Sequence, residues 1–214
     1  MKLSTANKVW IGLGIFGLVT FTTVYSVYSY AVHGVYDKVK LANLDADSKW
    51  AEVVNQYQRR ADLIPNLVAI VGQAAGHEHS TLKDVIAARS RAGTVQLTPE
   101  ALKDPQAMAQ FSRVQGDITT ALSRMMMLTE NYPQLKVNEN FLNVQAQLEG
   151  TENRITVARN RYIESVKTAN IPLVTFWGGI FGGFFDLTER PQFTVDDVKS
   201  VSVAPKIEPY KEPK

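Results

Sequence analysis

The chain has 214 residues, of which 45% are hydrophobic, enough to bury the core of one folded domain. Its 23 basic and 21 acidic residues are interleaved and leave a formal net charge of +2, so we expect no nucleic-acid partner. The lack of cysteine excludes disulfides, thiolate zinc sites and a cysteine nucleophile within this chain.

The first predicted element is a membrane anchor. Residues 9–32 carry no charge, and the run is longer than the roughly 20 apolar residues with which a helix crosses a bilayer. Aromatic side chains lie toward both ends of the run, as in the interfacial belts of membrane proteins. We predict a transmembrane segment within residues 1–33, with Val9, Trp10, Gly14, Phe16, Phe21, Tyr25 and Tyr28 as anchor residues.

A cleaved signal peptide is the alternative interpretation of this run. Ser29-Tyr30-Ala31 places small residues at the spacing that a signal peptidase prefers. The apolar run is longer than the core of an ordinary signal peptide, which favours an uncleaved anchor.

A long helix is predicted next, and it contains a proline. The apolar spacing of three and four residues continues through Pro65, which predicts a kink in one helix rather than a break. Proline removes one backbone donor and clashes with the carbonyl of Ala61, at a cost of about 3 kcal/mol unless the surroundings compensate. Arg59, Arg60 and Asp62 are expected beside the apolar seam, with Arg59 and Asp62 able to pair. The predicted seam is Trp50, Val53, Tyr57, Ala61, Ile64, Val68, Val71 and Ala75.

A second, shorter helix is predicted over residues 80–91. Leu82, Val85 and Ile86 recur at helical spacing and form its expected apolar face. Gly93, a usual helix stop, ends it.

The third helix is predicted to start at a capping signal and to end before Pro133. Thr98 and Asp104 each precede a proline, which places a capping side chain before a first helical residue. The residue before a proline is pushed out of helical geometry, so Pro133 closes the helix. Its expected inner face is Met108, Phe111, Val114, Ile118, Leu122, Met125, Leu128 and Tyr132.

The fourth helix, over residues 138–169, has the most regular seam. Its apolar positions alternate between spacings of three and four, as coiled-coil-like packing requires. Thr151 and Ala158 are small, so a neighbouring helix can approach closely there. The predicted seam is Phe141, Val144, Leu148, Thr151, Ile155, Ala158, Tyr162, Val166 and Ala169.

These elements predict an all-α protein. Its body, over residues 34–170, is expected to be an elongated antiparallel helical bundle of three to four helices following one N-terminal transmembrane helix. Residues 191–214 are expected to form a short strand and a disordered tail.

Between the bundle and the tail, residues 171–190 are rich in glycine and aromatic side chains. The apolar part is too short for a confident second span. Two interpretations stay open, an element at the membrane interface and a loop that caps the bundle. The interfacial candidates are Phe176, Trp177, Phe181, Phe184 and Phe185.

No residue pattern predicts catalytic, cofactor or metal chemistry. Gly12-Leu13-Gly14-Ile15-Phe16-Gly17 fits the dinucleotide pattern G-x-G-x-x-G, but it lies in the anchor rather than between a strand and a helix. His77 and His79 are two residues apart and point in different directions on a helix, so they do not bind one ion jointly. Met125, the first of three consecutive methionines, fits the helical seam, which favours core filling over thioether binding of copper. We therefore expect no cofactor and no enzymatic activity.

Several sequence blocks between residues 36 and 170 form a specific set. They are RRADLIPNLV (59–68), His77-Glu78, Val85 with Ala88-Arg89, ENYPQLKVNENF (130–141) and LEGTENRITVARNRY (148–162). In these blocks the chain resembles the LemA family. The resemblance implies an N-terminal membrane anchor and an antiparallel bundle of long helices, and it implies no particular activity.

The resemblance also supplies a candidate polar cluster. Our hypothesis is that polar contacts between the first and fourth bundle helices hold the kink at Pro65, with Arg60 and Glu152 as a pair. The full set is Arg59, Arg60, Asp62, Pro65, Asn66, Glu130, Asn131, Tyr132, Glu152, Asn153 and Arg154.

The anchor and the amphipathic helices predict a protein that acts by binding. We expect a scaffold or assembly factor of the bacterial envelope, with the membrane and unidentified proteins as partners. Gly178 with Gly182, and Gly179 with Gly183, repeat the spacing that lets helices approach closely in lipid, so we expect a homo-oligomer. The alternatives are an enzyme that uses the Arg/Glu/Asn cluster and a membrane-remodelling helical protein.

We expect a single-pass protein of the bacterial inner (cytoplasmic) membrane. Lys2 and Lys8 before the span nearly balance Lys38 and Lys40 after it. Two features favour a bundle outside the cytoplasm, in the periplasm. One is the positive N-terminus of a signal-anchor, and the other is that some members of the family that the chain resembles are lipoproteins.

Overall fold

A computed structural model describes residues 5–75, 78–95, 98 and 101–191 of the chain. Every regular element in these residues is helical and no strand occurs among them, which confirms the all-α prediction. The strand and tail predicted over residues 191–214 lie, except for Pro191, outside the described residues. The helices are α1 (Thr5–Ser29), α2 (Asp37–Ala74), α3 (His79–Thr94), α4 (Pro105–Met127), α5 (Pro133–Lys136), α6 (Glu139–Asn170) and α7 (Phe176–Phe184).

The chain divides into two compact units. The first holds the described residues up to Lys49 together with Glu164–Arg190, and the second holds Trp50–Ile163. The long helices α2 and α6 contribute residues to both units.

The first unit contains the membrane anchor. The helical run that begins with α1 includes a stretch long and apolar enough to cross a membrane, and none of that stretch is buried. The side chains of Trp10, Phe16 and Phe21 are exposed. A π-helical turn, Tyr30–Tyr36, joins α1 to α2 without an intervening loop. The described residues therefore contain one candidate span, at the N-terminal end.

The first unit also packs α7 onto its own chain through glycine. Gly178 and Gly182 are buried, and a Cβ atom on Gly178 would collide with the carbonyl of Pro172. A Cβ atom on Gly179 would have open space around it. The two glycines are adjacent in the same helix, so they form a matched pair for substitution.

We expect Gly178→Ala to destabilise the docking of α7 by about 1–3 kcal/mol, because the added methyl group overlaps backbone atoms. Gly179→Ala adds the same group in open space and is expected to stabilise the helix by up to about 1 kcal/mol. Hydrogen exchange of the α7 amides in the full chain measures both effects. Equal exchange rates in the two variants would contradict the close approach at Gly178.

An apolar core in the second unit draws on five helices. Residues of α2, α3, α4, α5 and α6 share it, so these helices pack together. Every position of the seam predicted for α6 is buried, and the prediction for this helix is confirmed. The buried residues of the core are Ile64, Leu67, Val71, Ala75, Val85, Ala88, Ala92, Ile118, Ala121, Leu122, Met125, Leu135, Phe141, Val144 and Leu148.

α2 runs unbroken through Pro65, as predicted, but its buried face differs at two positions. Arg60 is 1% exposed and Leu67 is 0% exposed, whereas their neighbours Ala61 and Val68 are only partly buried. The seam therefore passes through Arg60, and the prediction that placed this arginine beside it is wrong. The physical reason is that hydrogen-bond acceptors at the buried position make a charged side chain acceptable there.

α3 begins at His79 and continues past Gly93 to Thr94, and its buried face is also rotated from the predicted one. Val85 is buried as expected, but Ile86 is 52% exposed. Ala88 and Ala92 are buried instead. Small alanine side chains allow α3 to lie close to its neighbours, which favours this face over the one that carries the larger isoleucine.

α4 begins at the predicted capping signal. Asp104 Oδ1 accepts a hydrogen bond from the Gln106 amide at 2.8 Å, and Pro105 occupies the first helical position. Thr98 Oγ1 accepts from the Ala101 amide at 3.3 Å, at the start of a short 3-10 turn. The prediction for Asp104 is confirmed, and Thr98 accepts a capping hydrogen bond as predicted, whereas Pro99 lies outside the described residues.

The inner face of α4 and the connection after it agree with most of the prediction. Met125 is buried, whereas Met127 is exposed, which confirms the core-filling interpretation. α4 ends at Met127, earlier than predicted, because a 3-10 turn, Leu128–Glu130, precedes Pro133.

Candidate functional site

The candidate site is built around Arg60, which α2 carries into the interior of the second unit. Only 1% of this residue is exposed. Arginine is almost never fully buried unless its charge is paired and its donors are hydrogen-bonded. The surroundings of Arg60 therefore have to supply an opposite charge and hydrogen-bond acceptors.

Both terminal nitrogens of Arg60 make hydrogen bonds. Nη1 donates to Glu152 Oε1 at 2.9 Å and to Thr119 Oγ1 at 3.0 Å. Nη2 donates to Gln115 Oε1 at 2.6 Å and to the Gln115 carbonyl at 3.2 Å. Gln115 and Thr119 belong to α4 and Glu152 belongs to α6, so one guanidinium joins three helices.

Arg60 and Glu152, the pair expected from the sequence, are in contact. The Arg60 side chain is 2% exposed and the Glu152 side chain is 42% exposed. Only the arginine is removed from water, so the desolvation cost is smaller than for an ion pair that is buried on both sides.

Aromatic rings pack beside this centre. The guanidinium carbon of Arg60 lies 5.0 Å from the centre of the Tyr57 ring, within the range of a cation–π interaction. The ring centres of Tyr57 and Phe111 are 5.3 Å apart, and Trp50 lies 5.2 Å from Phe111 and 5.2 Å from Tyr162. These rings lower the local dielectric constant, which strengthens the hydrogen bonds of the arginine.

A second arginine compensates for the backbone defect at Pro65. Proline has no amide hydrogen, so the Ala61 carbonyl loses its helical donor. Arg89 Nε, from α3, donates to that carbonyl at 2.9 Å. The hypothesis assigned the stabilisation of the kink to Arg60 and Glu152, but the direct replacement for the lost hydrogen bond comes from Arg89.

We expect Arg89→Ala to lower the free energy of unfolding by about 1 kcal/mol, because the Ala61 carbonyl loses a hydrogen bond from a charged donor. In a Pro65→Ala background the amide of residue 65 takes over this carbonyl, so Arg89→Ala costs less. Urea unfolding of the unmodified chain, the two single variants and the double variant, all full-length and in nonionic detergent, gives the coupling energy. We expect this energy to be at least about 0.5 kcal/mol. Additive effects would show that Arg89 does not compensate for the proline.

The other residues of the first motif block do not join Arg60. Arg59, Pro65 and Asn66 are exposed. Asp62 accepts a hydrogen bond from Gln58 at 2.8 Å, and no ion pair joins it to Arg59 in the described part of the chain. The predicted pairing of Arg59 with Asp62 is therefore wrong. The side-chain amide of Gln58, one helical turn before Asp62 on the same exposed face, donates to the carboxylate instead.

The second motif block shapes a helix connection. Glu130, Asn131 and Tyr132 lie between α4 and α5, and the Asn131 amide donates to the Leu128 carbonyl at 3.0 Å. Tyr132 packs partly buried against the core. This block therefore orients the chain between two helices and does not contribute to the arginine centre.

The third block is divided between two surfaces of α6. Glu152 lines an open groove of about 440 Å³ beside Arg60, together with Arg113, Arg159 and Asp117. Asn153 and Arg154 line a different groove, of about 450 Å³. Both grooves are lined by polar and charged side chains.

Sequence reasoning missed three residues of the site: Gln115, Thr119 and Arg89. Gln115 and Thr119 lie one turn apart on α4, next to its apolar positions. Gln115, a polar residue on the buried face of α4, with Thr119 one turn later, was the available signal. Arg89 belongs to one of the blocks of the family resemblance, but its role could not be predicted because its acceptor is a backbone atom.

Comparison with known proteins supports the family resemblance. The sequence model of the LemA family matches residues 49–208. That range includes Arg60, Arg89, Gln115, Thr119 and Glu152. A search of curated proteins finds no match.

Proposed function

The chain belongs to the LemA family, and we propose that it acts by binding, as a membrane-anchored scaffold or assembly factor of the bacterial envelope. The observation that carries this proposal is that Arg60 is buried and hydrogen-bonded between helices. The hydrogen bonds of its terminal nitrogens hold α2, α4 and α6 together, so the buried residue of the motif maintains the shape of a helical body. A body of fixed shape on an anchor is what a binding platform requires.

The proposed body is an antiparallel helical bundle. Only residues 75–78 separate α2 from α3, and short connections of this kind join antiparallel neighbours. The buried seam of α6 has spacings of three or four residues over its whole length, which is typical of helices packed nearly parallel to their partners.

The binding proposal and the enzyme alternative differ in what they expect of Glu152→Gln. An amide oxygen still accepts a hydrogen bond from Arg60, but an amide does not act as a general acid or base. We expect this variant to complement a strain that lacks the protein as well as the unmodified chain does. Loss of complementation with unchanged circular dichroism and unfolding would favour an enzyme and contradict the binding proposal.

Orientation in the membrane is part of the proposal. α1 would cross the bacterial inner membrane once and leave the bundle in the periplasm. Gly93→Cys tests this, because the chain has no cysteine and a Cβ atom on Gly93 meets nothing within 4 Å. Labelling by a membrane-impermeant maleimide before the inner membrane is breached supports the periplasmic orientation, and labelling only after lysis refutes it.

We also propose that the protein self-associates. Of the two Gly-xxx-Gly pairs, Gly178 and Gly182 face other residues of their own chain, whereas Gly179 and Gly183 have open space. The second pair is the one that remains for contact between copies. Light scattering of the full chain in mild detergent is expected to give the mass of more than one copy, and a monomer at all concentrations would remove this part of the proposal.

A further inference from the structure

The exposed side of α7 and of the turn before it is apolar. Ile171, Val174, Ile180 and Phe184 have exposed fractions of 52%, 68%, 50% and 83%. Residues 168–185 include no charged side chain. A helix on the surface of a soluble domain normally turns its apolar side chains inwards, so this surface is suited to an apolar neighbour.

Among the residues of α7 whose side chains the structure describes, the buried ones are glycines. Gly178 and Gly182 are buried, and a Cβ atom on Gly182 would lie 3.3 Å from the Leu173 side chain. Backbone therefore packs against the rest of the first unit at these two glycines, while the side chains of Ile180 and Phe184 remain outside. This distribution is the reverse of the one expected for a helix that only caps a core.

α7 is fixed at the place where the apolar run of α1 ends. It packs against the π-helical turn Tyr30–Tyr36, which follows α1 directly. The ring of Phe185 lies 5.3 Å from the ring of Tyr36. Leu173 packs in one cluster with Val35.

The chain beyond α7 is tied down as well. The Arg190 amide donates to Asn170 Oδ1 at 2.9 Å, and Asn170 Nδ2 donates to the Arg190 carbonyl at 2.9 Å. Arg190 Nη2 also bonds to Asp47 Oδ1 at 2.7 Å. Because the segment is held on both sides of α7, its apolar surface is presented in a fixed orientation.

The distance from α1 places this surface at the head groups of a bilayer. The exposed side chains of Tyr25, Tyr28 and Tyr30 lie where an interfacial aromatic belt belongs. From Tyr30 to Tyr36 the chain rises by less than about 9 Å, because a π-helical turn rises less per residue than the 1.5 Å of an α-helix. The head-group region of each leaflet is roughly 5–8 Å thick.

We propose that α7 and the turn before it form a second contact with the membrane that α1 enters, with Ile171, Val174, Ile180 and Phe184 inserted among lipid head groups and upper acyl chains. A helix of nine residues reaches only about 13 Å, so it lies along the interface and does not cross it. The lipid surface is the occupant because this apolar surface adjoins the exposed apolar run of α1. The inference depends on the anchor and not on the binding partner or on catalysis.

Spin labels test the proposal directly. In the cysteine-free chain, Ile180→Cys and Phe184→Cys each carry one nitroxide at an exposed position, and Val137→Cys, at a residue that is 78% exposed in the second unit, is the matched control. The full-length variants are reconstituted in vesicles of phosphatidylcholine and phosphatidylglycerol. Power saturation then compares the accessibility of each label to oxygen, which concentrates in lipid, and to a water-soluble nickel chelate.

We expect oxygen to relax the labels at positions 180 and 184 more strongly than the nickel chelate does, and the reverse order at position 137. The reverse order at all positions would overturn the proposal. Low accessibility of both labels to oxygen and to the chelate alike would show that a second copy covers the surface and would also overturn the proposal. Co-flotation of the chain with the vesicles reports on the anchor separately, so failure of the anchor is distinguishable from failure of the α7 contact.

Discussion

Replacement of Arg60 by alanine is expected to lower the free energy of unfolding by about 3 kcal/mol or more. The substitution leaves the buried Gln115 side chain without its donor, removes the charge that pairs with Glu152, and opens a cavity between three helices. At about 2–4 °C per kcal/mol for a chain of this size, the midpoint of thermal unfolding should fall by roughly 6–12 °C. Circular dichroism of the full chain in nonionic detergent measures the change.

Arg59→Ala is the matched control for this experiment. It removes the same charge from the adjacent residue of the same helix, but Arg59 is exposed. We expect its effect to stay within about 0.5 kcal/mol, as for most surface substitutions. Equal effects of the two substitutions would show that the guanidinium of Arg60 does not hold the helices together.

Leu67→Ala is expected to cost about 2–5 kcal/mol, the range for a fully buried leucine. Leu67 is 0% exposed and packs in the core of the second unit, two turns along α2 from Arg60. Val68 is only partly buried, so Val68→Ala should cost clearly less than Leu67→Ala. Urea unfolding measures both. A larger effect at Val68 would contradict the register of α2, and with it the burial of Arg60.

The fold could be predicted best where the sequence pattern is uniform. All residues of the α6 seam are apolar or small, from Phe141 to Ala169, so hydrophobic spacing alone identifies the buried face. The start of α4 could be predicted because a capping residue such as Asp104 followed by proline is typical of the first turn of a helix.

The register of α2 and α3 could not be predicted in the same way. At the middle of α2 the choice lay between Arg60 and Ala61, and hydrophobicity alone favours the alanine. The arginine is buried because Gln115, Thr119 and Glu152 surround it, and these residues come from distant parts of the chain. In α3 the large Ile86 indicated the wrong face, since close packing through small residues outweighed its hydrophobicity.

The candidate site, like the fold, could be predicted only in part. The resemblance to a family brought Arg60 and Glu152 together before any contact was known, and the contact is present. The motif blocks themselves do not form one cluster, because each stabilises a different part of the second unit. What sequence spacing does not contain is the role of Arg89, whose acceptor exists only because Pro65 lacks an amide hydrogen.

The structural role of the motif bears on how the protein is proposed to work. A motif that uses Arg60 to hold helices together favours a role in which shape is the functional property. In that proposal the second unit presents a helical surface of fixed shape, and α7 adds a second point of attachment of the first unit to the membrane. Partners would then recognise the groove lined by Asn153 and Arg154 rather than the buried arginine and Glu152.

The coupling energy between Arg60 and Glu152 tests the structural role of this arginine most directly. Arg60→Gln, Glu152→Gln and the double variant are compared with the unmodified chain by urea unfolding in nonionic detergent. We predict a coupling of about 1 kcal/mol, because the two side chains bond at 2.9 Å and the arginine is removed from water. A coupling of zero, with additive effects of the two substitutions, would contradict the account that this pair holds α2 to α6.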